Sequence, residues 1–448
     1  MAEIAPFRGL RYNVDKIPDL STVVIPPYDV IPPADQERYY NTSPFNMIRL
    51  ELGRSLPGDS SDDNPHTRAA HALHDWQAQR ILIRDEHPAL YAYDLDYSLP
   101  SGRRLTRHGF LCALRLEDLG TGTVKPHEKT FPAVKKERLG LMTACQANLS
   151  PVFALYADPQ GEVDGALTAG REQTPLYVFR DAGGMEHRLW RVQGGEVLRE
   201  VKRLMSSRAL FIADGHHRYE TALNYRNIRR EQSGEDSRQA SYNYIMVYLS
   251  SLNGDGLTIL PTHRLLRHLG DWGTEALWER ASAFFDVSRF EASGEGRRRW
   301  QDALEARGAR GETAIGMFGR NLDAFILLAA RREAVSAFLS GLDLPPVLRE
   351  LDVVVLDEIL LRRLLGLSDA FLSDSDNIHF SHDFSRAVDT VLAGQYSLGF
   401  FINSTRIGQV QEVASAGLIM PHKSTYFYPK VGSGLVIHTM ASGEEVVG

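Results

Sequence analysis

Short apolar runs and amphipathic stretches succeed one another along most of the chain. Apolar runs of about four to eight residues indicate buried strands, and apolar residues three and four positions apart indicate one face of a helix. Strands interleaved with helices predict a mixed α/β fold. The predicted strands lie at residues 23–31, 46–52, 90–97, 107–116, 152–156, 209–213 and 242–249, with further strands between 162 and 192. The predicted helices lie near residues 67–81, 134–146, 195–206, 354–365, and from the turn at 214 to about 230.

The chain is long enough for more than one domain. At about 150 residues per domain, its 448 residues predict two or three. We divide it into a core with an insertion at 1–268, a small α+β module at 269–342, and a C-terminal α+β segment at 343–448. The middle module shows the order helix, strand, helix, two strands and helix. The C-terminal segment is expected to complete a site begun in the core.

The charge balance and cysteine content restrict the kind of protein. Fifty Lys and Arg residues against 57 Asp and Glu residues give a net charge of −7, which makes a non-specific nucleic-acid binder unlikely as a class. Two cysteines, Cys112 and Cys145, do not form a disulfide framework and predict reduced thiols in the cytoplasm. The N-terminal residues contain no apolar signal-peptide core, and no apolar run is long enough to span a bilayer.

The stretch Ala209–Arg226 carries the strongest functional signal. Five apolar residues precede Asp-Gly-His-His-Arg, and helical spacing of apolar residues follows. Asp214 suits the N-cap position, Gly215 permits close approach of a ligand, and Arg218 offers a planar fork for phosphate oxygens. Helix N-termini bind anions, so we predict a phosphate site here. The alternative is a helix cap followed by solvated side chains.

The histidine pair after Gly215 offers several chemistries. His216 can donate a hydrogen bond to phosphate, and His217 is our candidate for proton transfer. Adjacent residues diverge by about 100° on a helix, which disfavours a zinc site built from this pair. Asp214 is a candidate catalytic residue, and its carboxylate is also a candidate ligand for Mg²⁺.

Two further polar clusters are candidates for the same site. His127 and Glu128 lie in KPHEKT before a predicted helix. Glu128 is our candidate general base, with Glu51 and Glu220 as alternatives. His127 is a candidate substrate contact. In MPHKSTYFYPK, Lys423 and Lys430 are candidate anion-binding residues. That stretch lacks the glycines of a Walker A loop, and its alternation predicts a strand. The alternative for each cluster is a solvated loop or core packing. We expect all three clusters to line one pocket.

Eight motifs, in their order along the chain, resemble the family known as domain of unknown function 1015, and together they span nearly the whole chain. These motifs are PPYDVI, NMIRLEL, HEKT, KKERLGLM, SPVFALY, ADGHHRYETAL, LPTHRLL and MPHKSTYFYPK. Within it, ADGHHRYETAL resembles the strand–turn–helix signature of the ParB/sulfiredoxin superfamily. Sulfiredoxins carry a cysteine where this chain has His216, so sulfinic-acid reduction is not implied. The Asp-Gly-His form is similar to that of the superfamily's free-serine kinases. The resemblance implies a ParB-like nucleotide- or phosphate-binding core with inserted α+β modules.

The function that follows is phosphoryl transfer to a small hydroxyl compound. The resemblance implies free L-serine as acceptor and ATP, ADP or pyrophosphate as donor, with Mg²⁺ as a cofactor. The expected partner is a small-molecule substrate rather than a membrane or a nucleic acid. Two alternatives remain open at this point. One is a nucleotide-binding regulator without catalysis, and the other is a metal-dependent hydrolase that uses the histidine pair.

Overall fold

The chain folds into two compact units. The computed structural model describes residues 2–99, 101–120, 122–233, 237–270, 274–374, 376–441 and 443–446. The first unit comprises residues 1–126, 130–257 and 429–448, and the second comprises 127–129 and 258–428. Both units combine helices with sheets. The predicted mixed α/β class is therefore confirmed.

A large mixed sheet organises the first unit. Its strands pair in the order Val124–Lys125, Leu210–Asp214, Val152–Tyr156, Tyr244–Ser251, Arg104–Arg115, Leu90–Ser98, Glu186–Val192 and Tyr177–Arg180, and Ile4–Ala5 pairs with Arg104–Arg115. Two of these pairings are parallel, those of Leu210–Asp214 with Val124–Lys125 and of Tyr244–Ser251 with Val152–Tyr156. Two smaller ladders pair Leu10–Tyr12 with Leu82–Arg84 and Ala147–Asn148 with His438–Thr439.

Helices pack against this sheet and bury its apolar residues. The α-helices of the first unit are Pro33–Thr42, Ile48–Glu51, Pro65–Ala78, Pro132–Cys145, Glu162–Gly170, Gly195–Ser206 and His216–Ser233. The core combines sheet residues such as Val152 and Ile212 with helix residues such as Tyr219 and Ala222. Because Leu210–Asp214 is buried along its whole length, its carboxyl end is fixed by packing on both faces.

An antiparallel sheet organises the second unit. Its strands pair in the order Phe285–Glu291, Ala324–Ala330, Ala314–Gly319, Leu398–Ile402, His263–Leu266 and Ile378–Ser381, and a separate ladder joins Thr258–Leu260 to Tyr426–Tyr428. Its α-helices are Thr274–Ala281, Gly294–Ala309, Arg332–Ser340, Pro346–Arg349, Asp352–Val355, Asp369–Ser373, Phe384–Leu392 and Ile407–Ser415, and a π-helical stretch covers Leu356–Leu364. Within the described ranges, no helix is both long and apolar enough to cross a bilayer.

Three predicted strands take other conformations. Residues 46–52 contain the short helix Ile48–Glu51, because Met47 donates its N–H to Val23 and the chain turns there. Residues 23–31 contain the 3₁₀ turn Tyr28–Val30, as the adjacent prolines remove strand donors. The first part of the region 162–192 is the helix Glu162–Gly170. In the stretch 420–430, the strand is limited to Tyr426–Tyr428.

The compact units divide the chain at positions that differ from the three predicted segments. Residues 258–268, 269–342 and 343–428 lie in the second unit, because strands from all three stretches share its main sheet. Residues 429–446 lie in the first unit, where His438–Thr439 pairs with Ala147–Asn148.

Candidate functional site

A β-bulge sets the direction of Asp214 at the end of its strand. Ile212 pairs with Ala154, but Asp214 already pairs with Phe153, so the register shifts between the two positions. Such a bulge bends the strand and redirects the side chain that follows it. The apolar run therefore both buries the strand and delivers the Asp214 carboxylate to the start of the next helix.

Gly215 makes the turn into the helix His216–Ser233. Its φ of +89° lies in the left-handed region that favours glycine. A Cβ atom at this position would come within 2.9 Å of the Arg218 Nε atom and 3.1 Å of its Cζ atom. The first helical hydrogen bond runs from the Tyr219 N–H to the Gly215 carbonyl at 3.0 Å. Glycine is therefore required here both by the backbone and by the packing of Arg218.

Asp214 is held between two cations within the first unit. Its Oδ2 atom accepts from Arg218 Nη2 at 2.5 Å, and its Oδ1 atom accepts from the Lys430 ammonium. The side chains of all three residues are 7–11% exposed. Burial raises the pKa of the Asp214 carboxyl, but the charges of Lys430 and Arg218 outweigh burial and hold that pKa well below its ordinary value. Asp214 is therefore ionised at neutral pH.

This arrangement corrects two expectations about Asp214. The helix begins at His216, so the residue before it is Gly215 and not Asp214, and the Asp214 carboxylate bonds to two side-chain cations. Mg²⁺ is bound through carboxylate oxygens, and both Asp214 oxygens already accept hydrogen bonds from the cationic side chains of Arg218 and Lys430. In the part of the chain that the structure describes, no group of three or more His, Cys, Asp or Glu residues is arranged to hold a metal. The donor set at Asp214 does not fit Mg²⁺.

Arg218 is engaged with protein acceptors. Besides Asp214, its guanidinium donates from Nη1 to the Pro151 carbonyl. The side chain is only 7% exposed. A direct contact between Arg218 and phosphate therefore stays a prediction, and the observed role is to fix Asp214 against the end of the neighbouring strand.

The two histidines of the turn differ in environment. His216 is buried, and burial lowers the pKa of its imidazole to about 3, an effect that Asp214 offsets only in part. His217 is half-buried, and its Nε2 atom accepts from the Phe131 N–H at 2.9 Å. A neutral His217 ring must then carry its proton on Nδ1. His216 is neutral at physiological pH, and proton transfer by His217, which stays a prediction, would involve Nδ1.

Three predicted site residues, His127, Glu128 and Lys423, belong to the second unit. His127 is buried, and its Nε2 atom lies 3.0 Å from the Thr425 Oγ1 atom. Glu128 Oε1 accepts from the Lys423 backbone N–H at 3.2 Å and lies 3.6 Å from His422 Nδ1. These contacts hold the residues 127–129 against the stretch that contains Lys423. The structure thus groups Lys430 with Asp214 in the first unit, and His127, Glu128 and Lys423 in the second.

The two rival carboxylates belong to the first unit and differ in their partners. Glu220 pairs with Lys135 at 2.6 Å and accepts from the Thr130 hydroxyl at 2.8 Å, both at its Oε2 atom. Glu51 is 2% exposed, and its Oε1 atom accepts from the Ser150 hydroxyl at 2.9 Å. Burial raises the pKa of Glu51, whereas Arg138 and Ser150 act in the opposite direction. Glu51 is thus a carboxyl with a raised pKa in the same unit as the turn.

A small polar cavity in the first unit was not predicted. It has a volume of about 30 Å³, and its polar lining consists of Glu51, Arg138, Asn148, Ser150, Arg218 and Thr221. Arg218 belongs to both this cavity and the Asp214 turn. The sequence signal was weak, because Asn148 and Ser150 each stand between apolar residues and Thr221 lies between Glu220 and Ala222, so none belongs to a recognisable polar motif. Their full burial is what distinguishes them from ordinary surface positions.

A larger cavity of the first unit lies at another place. Its volume is about 480 Å³, and its lining includes Asp94, His108, Asp164 and Arg171. None of the predicted site residues lines it. Its size alone does not outweigh the concentration of charge at Asp214, so the turn remains the candidate site.

The fold and the motif order lead to a family. A family model described as "Protein of unknown function (DUF1015)" matches residues 4–354, which is more than half of the chain. The chain therefore belongs to this family, and the predicted resemblance is confirmed. No curated protein matches the chain.

Solved structures similar to this chain come from several proteins. A conserved hypothetical protein from Pyrococcus furiosus is 13% identical, with a TM-score of 0.32 over 71% of this chain and 92% of that one. A free serine kinase in complex with AMP is 14% identical, with a TM-score of 0.30 over 70% and 89%. SbnI from Staphylococcus aureus, truncated at its C-terminus, is 10% identical, with a TM-score of 0.36 over 75% and 91%. At these identities and TM-scores the likenesses do not identify an activity.

Proposed function

We propose that this protein transfers a phosphoryl group from a nucleotide or pyrophosphate to a small hydroxyl compound. The choice of free L-serine as the first acceptor to test follows from the sequence resemblance of Asp214–Arg218 to the turn of free-serine kinases. The proposed location is the cytoplasm, as the two reduced thiols predict. The reaction replaces a P–O bond of the donor with a P–O bond to the acceptor oxygen, and the acceptor hydroxyl loses its proton.

The observation that carries the proposal is the charge of the turn. Asp214 contributes one negative charge, while Arg218 and Lys430 contribute two positive charges, so these three buried side chains have a net charge of +1. They lie at the N-terminus of an 18-residue helix, where N–H groups without helical partners point outward and the helix dipole is positive. An anion is the ligand that this combination attracts, and phosphate suits it.

The residues at the turn have separate roles in the proposed reaction. Lys430 and the first helical N–H groups would stabilise the charge on the transferred group. Asp214 and Arg218 would hold Lys430 and the strand end in position, and Gly215 leaves room for that packing. His216 stays neutral and so adds no positive charge. No step passes through Mg²⁺ at Asp214, because its two oxygens already bind cations.

The proposal is tested by a screen of donors against acceptors. Purified protein is incubated with ATP, ADP or pyrophosphate, each with L-serine and a panel of small hydroxy acids and alcohols, and products are followed by ³¹P NMR. A new phosphate monoester that depends on both substrates is expected. Donor binding without any product would instead favour a nucleotide-binding regulator, and loss of donor without an acceptor product would favour a hydrolase.

A further inference from the structure

The small polar cavity of the first unit contains three buried polar atoms that lack partners. These atoms are Glu51 Oε2, Asn148 Nδ2 and Thr221 Oγ1, and none has a hydrogen-bond partner among the described residues. All three side chains belong to residues at most 3% exposed, and all three line the same cavity. A buried polar group without a partner costs about 1–3 kcal/mol, so three such groups facing one space indicate a polar ligand.

The surrounding contacts fix how these atoms face the cavity. Asn148 Oδ1 accepts from the Met246 backbone N–H at 3.0 Å and lies 3.1 Å from His438 Nδ1. The backbone N–H is only a donor, which identifies the amide oxygen and leaves Nδ2 on the cavity side. Glu51 Oε1 accepts from Ser150, and the Arg138 guanidinium holds the Glu51 carbonyl at 2.9 Å. One carboxylate oxygen is thereby anchored while the other faces the cavity.

The chemistry of the three atoms defines the ligand group. Glu51 Oε2 accepts a hydrogen bond, Asn148 Nδ2 donates one, and the Thr221 hydroxyl does either. A hydroxyl both donates and accepts, so it satisfies this set. The cavity volume of about 30 Å³ is small, so the cavity takes a hydroxyl end and not a whole metabolite.

We infer that this cavity binds the hydroxyl group of the phosphoryl acceptor and that Glu51 is the base that receives its proton. This inference rests on the proposed function and selects among the three candidate carboxylates. Glu51 Oε1 lies 3.6 Å from Arg138 Nη1, but Glu51 Oε2 has no hydrogen-bond partner among the described residues. By contrast, Glu220 Oε2 is paired with Lys135, and Glu128 Oε1 accepts from the Lys423 backbone. Arg218 connects the cavity to the charged turn, because its side chain lines the cavity and also donates a hydrogen bond to Asp214.

The proton and the phosphoryl group then follow separate routes. The acceptor oxygen forms a bond to phosphorus as the donor's P–O bond breaks, and the electron pair of that bond leaves with the donor. The hydroxyl proton moves to Glu51 Oε2 and is later released to solvent. Burial raises the pKa of Glu51, which makes the carboxylate a stronger base than an exposed glutamate.

The test combines Glu51→Gln with two Thr221 variants. Gln retains an acceptor for Ser150 but cannot take up a proton, so the turnover number should fall by about 10²-fold or more while the Kd for ATP, measured by calorimetry, is unchanged. The acid limb of the pH profile should disappear in Glu51→Gln. Thr221→Val should raise the KM for L-serine, and Thr221→Ser should restore it. Glu220→Gln, which changes a paired carboxylate on the same helix as Thr221, should keep the wild-type turnover number and KM.

The outcomes separate this inference from the proposed function. A wild-type rate and an unchanged pH profile in Glu51→Gln would overturn the inference and leave phosphoryl transfer standing. Absence of any phosphorylated product from the wild-type protein would overturn both. If Glu51→Gln does not fold, the comparison of Thr221→Val with Thr221→Ser tests the inference. Equal KM values for L-serine in these two variants would place the hydroxyl site elsewhere. A crystal soaked in L-serine should show its hydroxyl between Glu51 and Asn148.

Discussion

The ammonium of Lys430 binds the carboxylate of Asp214 across 216 positions of sequence. Arg218 binds the second oxygen of the same carboxylate, so a single buried acid is shared by two cations. A neutral ion pair would have required only one of them. The additional positive charge, placed at a helix N-terminus, is the feature on which the proposed anion site rests.

The ion pair between Lys430 and Asp214 should stabilise the first unit. We predict a coupling energy of about 2 kcal/mol in a double-mutant cycle of Lys430→Met and Asp214→Asn, because both side chains are largely buried. The free energy of local unfolding is measured by amide hydrogen exchange of the strand Leu210–Asp214. Additive effects of the two substitutions would mean that the pair contributes nothing to stability.

Acid should weaken the protein through Asp214. The folded-state pKa of this carboxyl lies below its unfolded value of about 3.9, so its stabilising effect is complete above that pH. The effect is lost as the pH falls below about 4 toward the folded pKa. Asp214→Asn should therefore lose less stability than wild type between about pH 4 and pH 2 in urea unfolding. Parallel curves for the two proteins in this range would contradict the lowered pKa.

His216 should remain neutral well below the pH at which a free histidine is charged. Burial lowers the pKa of its imidazole to about 3, whereas the unfolded chain titrates near 6.5. In NMR spectra of ¹³C-labelled histidine, the His216 resonance should not shift between pH 8 and pH 5, and it is assigned by its absence in His216→Gln. The same resonance in the urea-unfolded protein is the control. A folded-state midpoint near 6.5 would show that the ring is exposed.

Gly215 should tolerate no side chain, for two separable reasons. Its positive φ strains any other residue, and a Cβ atom would crowd Arg218. Gly161 also has a positive φ, of +68°, but no atom lies within 4 Å of its would-be Cβ. Gly215→Ala should thus destabilise the protein by about 1–3 kcal/mol. This loss should exceed that of Gly161→Ala, which introduces backbone strain without a steric clash. Equal losses in urea unfolding would show that Arg218 adjusts freely.

Local signals explain which parts of the fold could be predicted. The strand Val152–Tyr156 and the helix Gly195–Ser206 have the predicted bounds, because each has a strong period and a clear break at both ends. The stretch 46–52 alternates apolar and polar residues as a strand would, yet it forms the helix Ile48–Glu51. There the hydrogen bond from Met47 to Val23 decides the conformation, and such a contact has no local signature.

The candidate site shows the same division between local and distant information. The turn at Gly215 is predictable because a buried strand, a glycine and a helix follow one another within a few residues. A shared pocket for Lys430 and Asp214 was expected from their polar motifs, but the direct bond between them has no local signature, because the two residues are 216 positions apart. The cavity of Asn148 and Thr221 also escaped prediction, since a single buried polar residue looks like a surface residue until its neighbours are known.

Lys430→Met tests the central claim most directly, because it removes the additional positive charge while Asp214 keeps its bond to Arg218. Formation of phosphorylated L-serine, or of the monoester found in the screen, is measured for equal concentrations of folded wild type and variant. Loss of one such charge-stabilising group should lower the turnover number by about 10²-fold. Lys135→Met, which removes a lysine paired with Glu220, should keep the wild-type rate. An unchanged rate in Lys430→Met, beside an active wild type, would contradict the account.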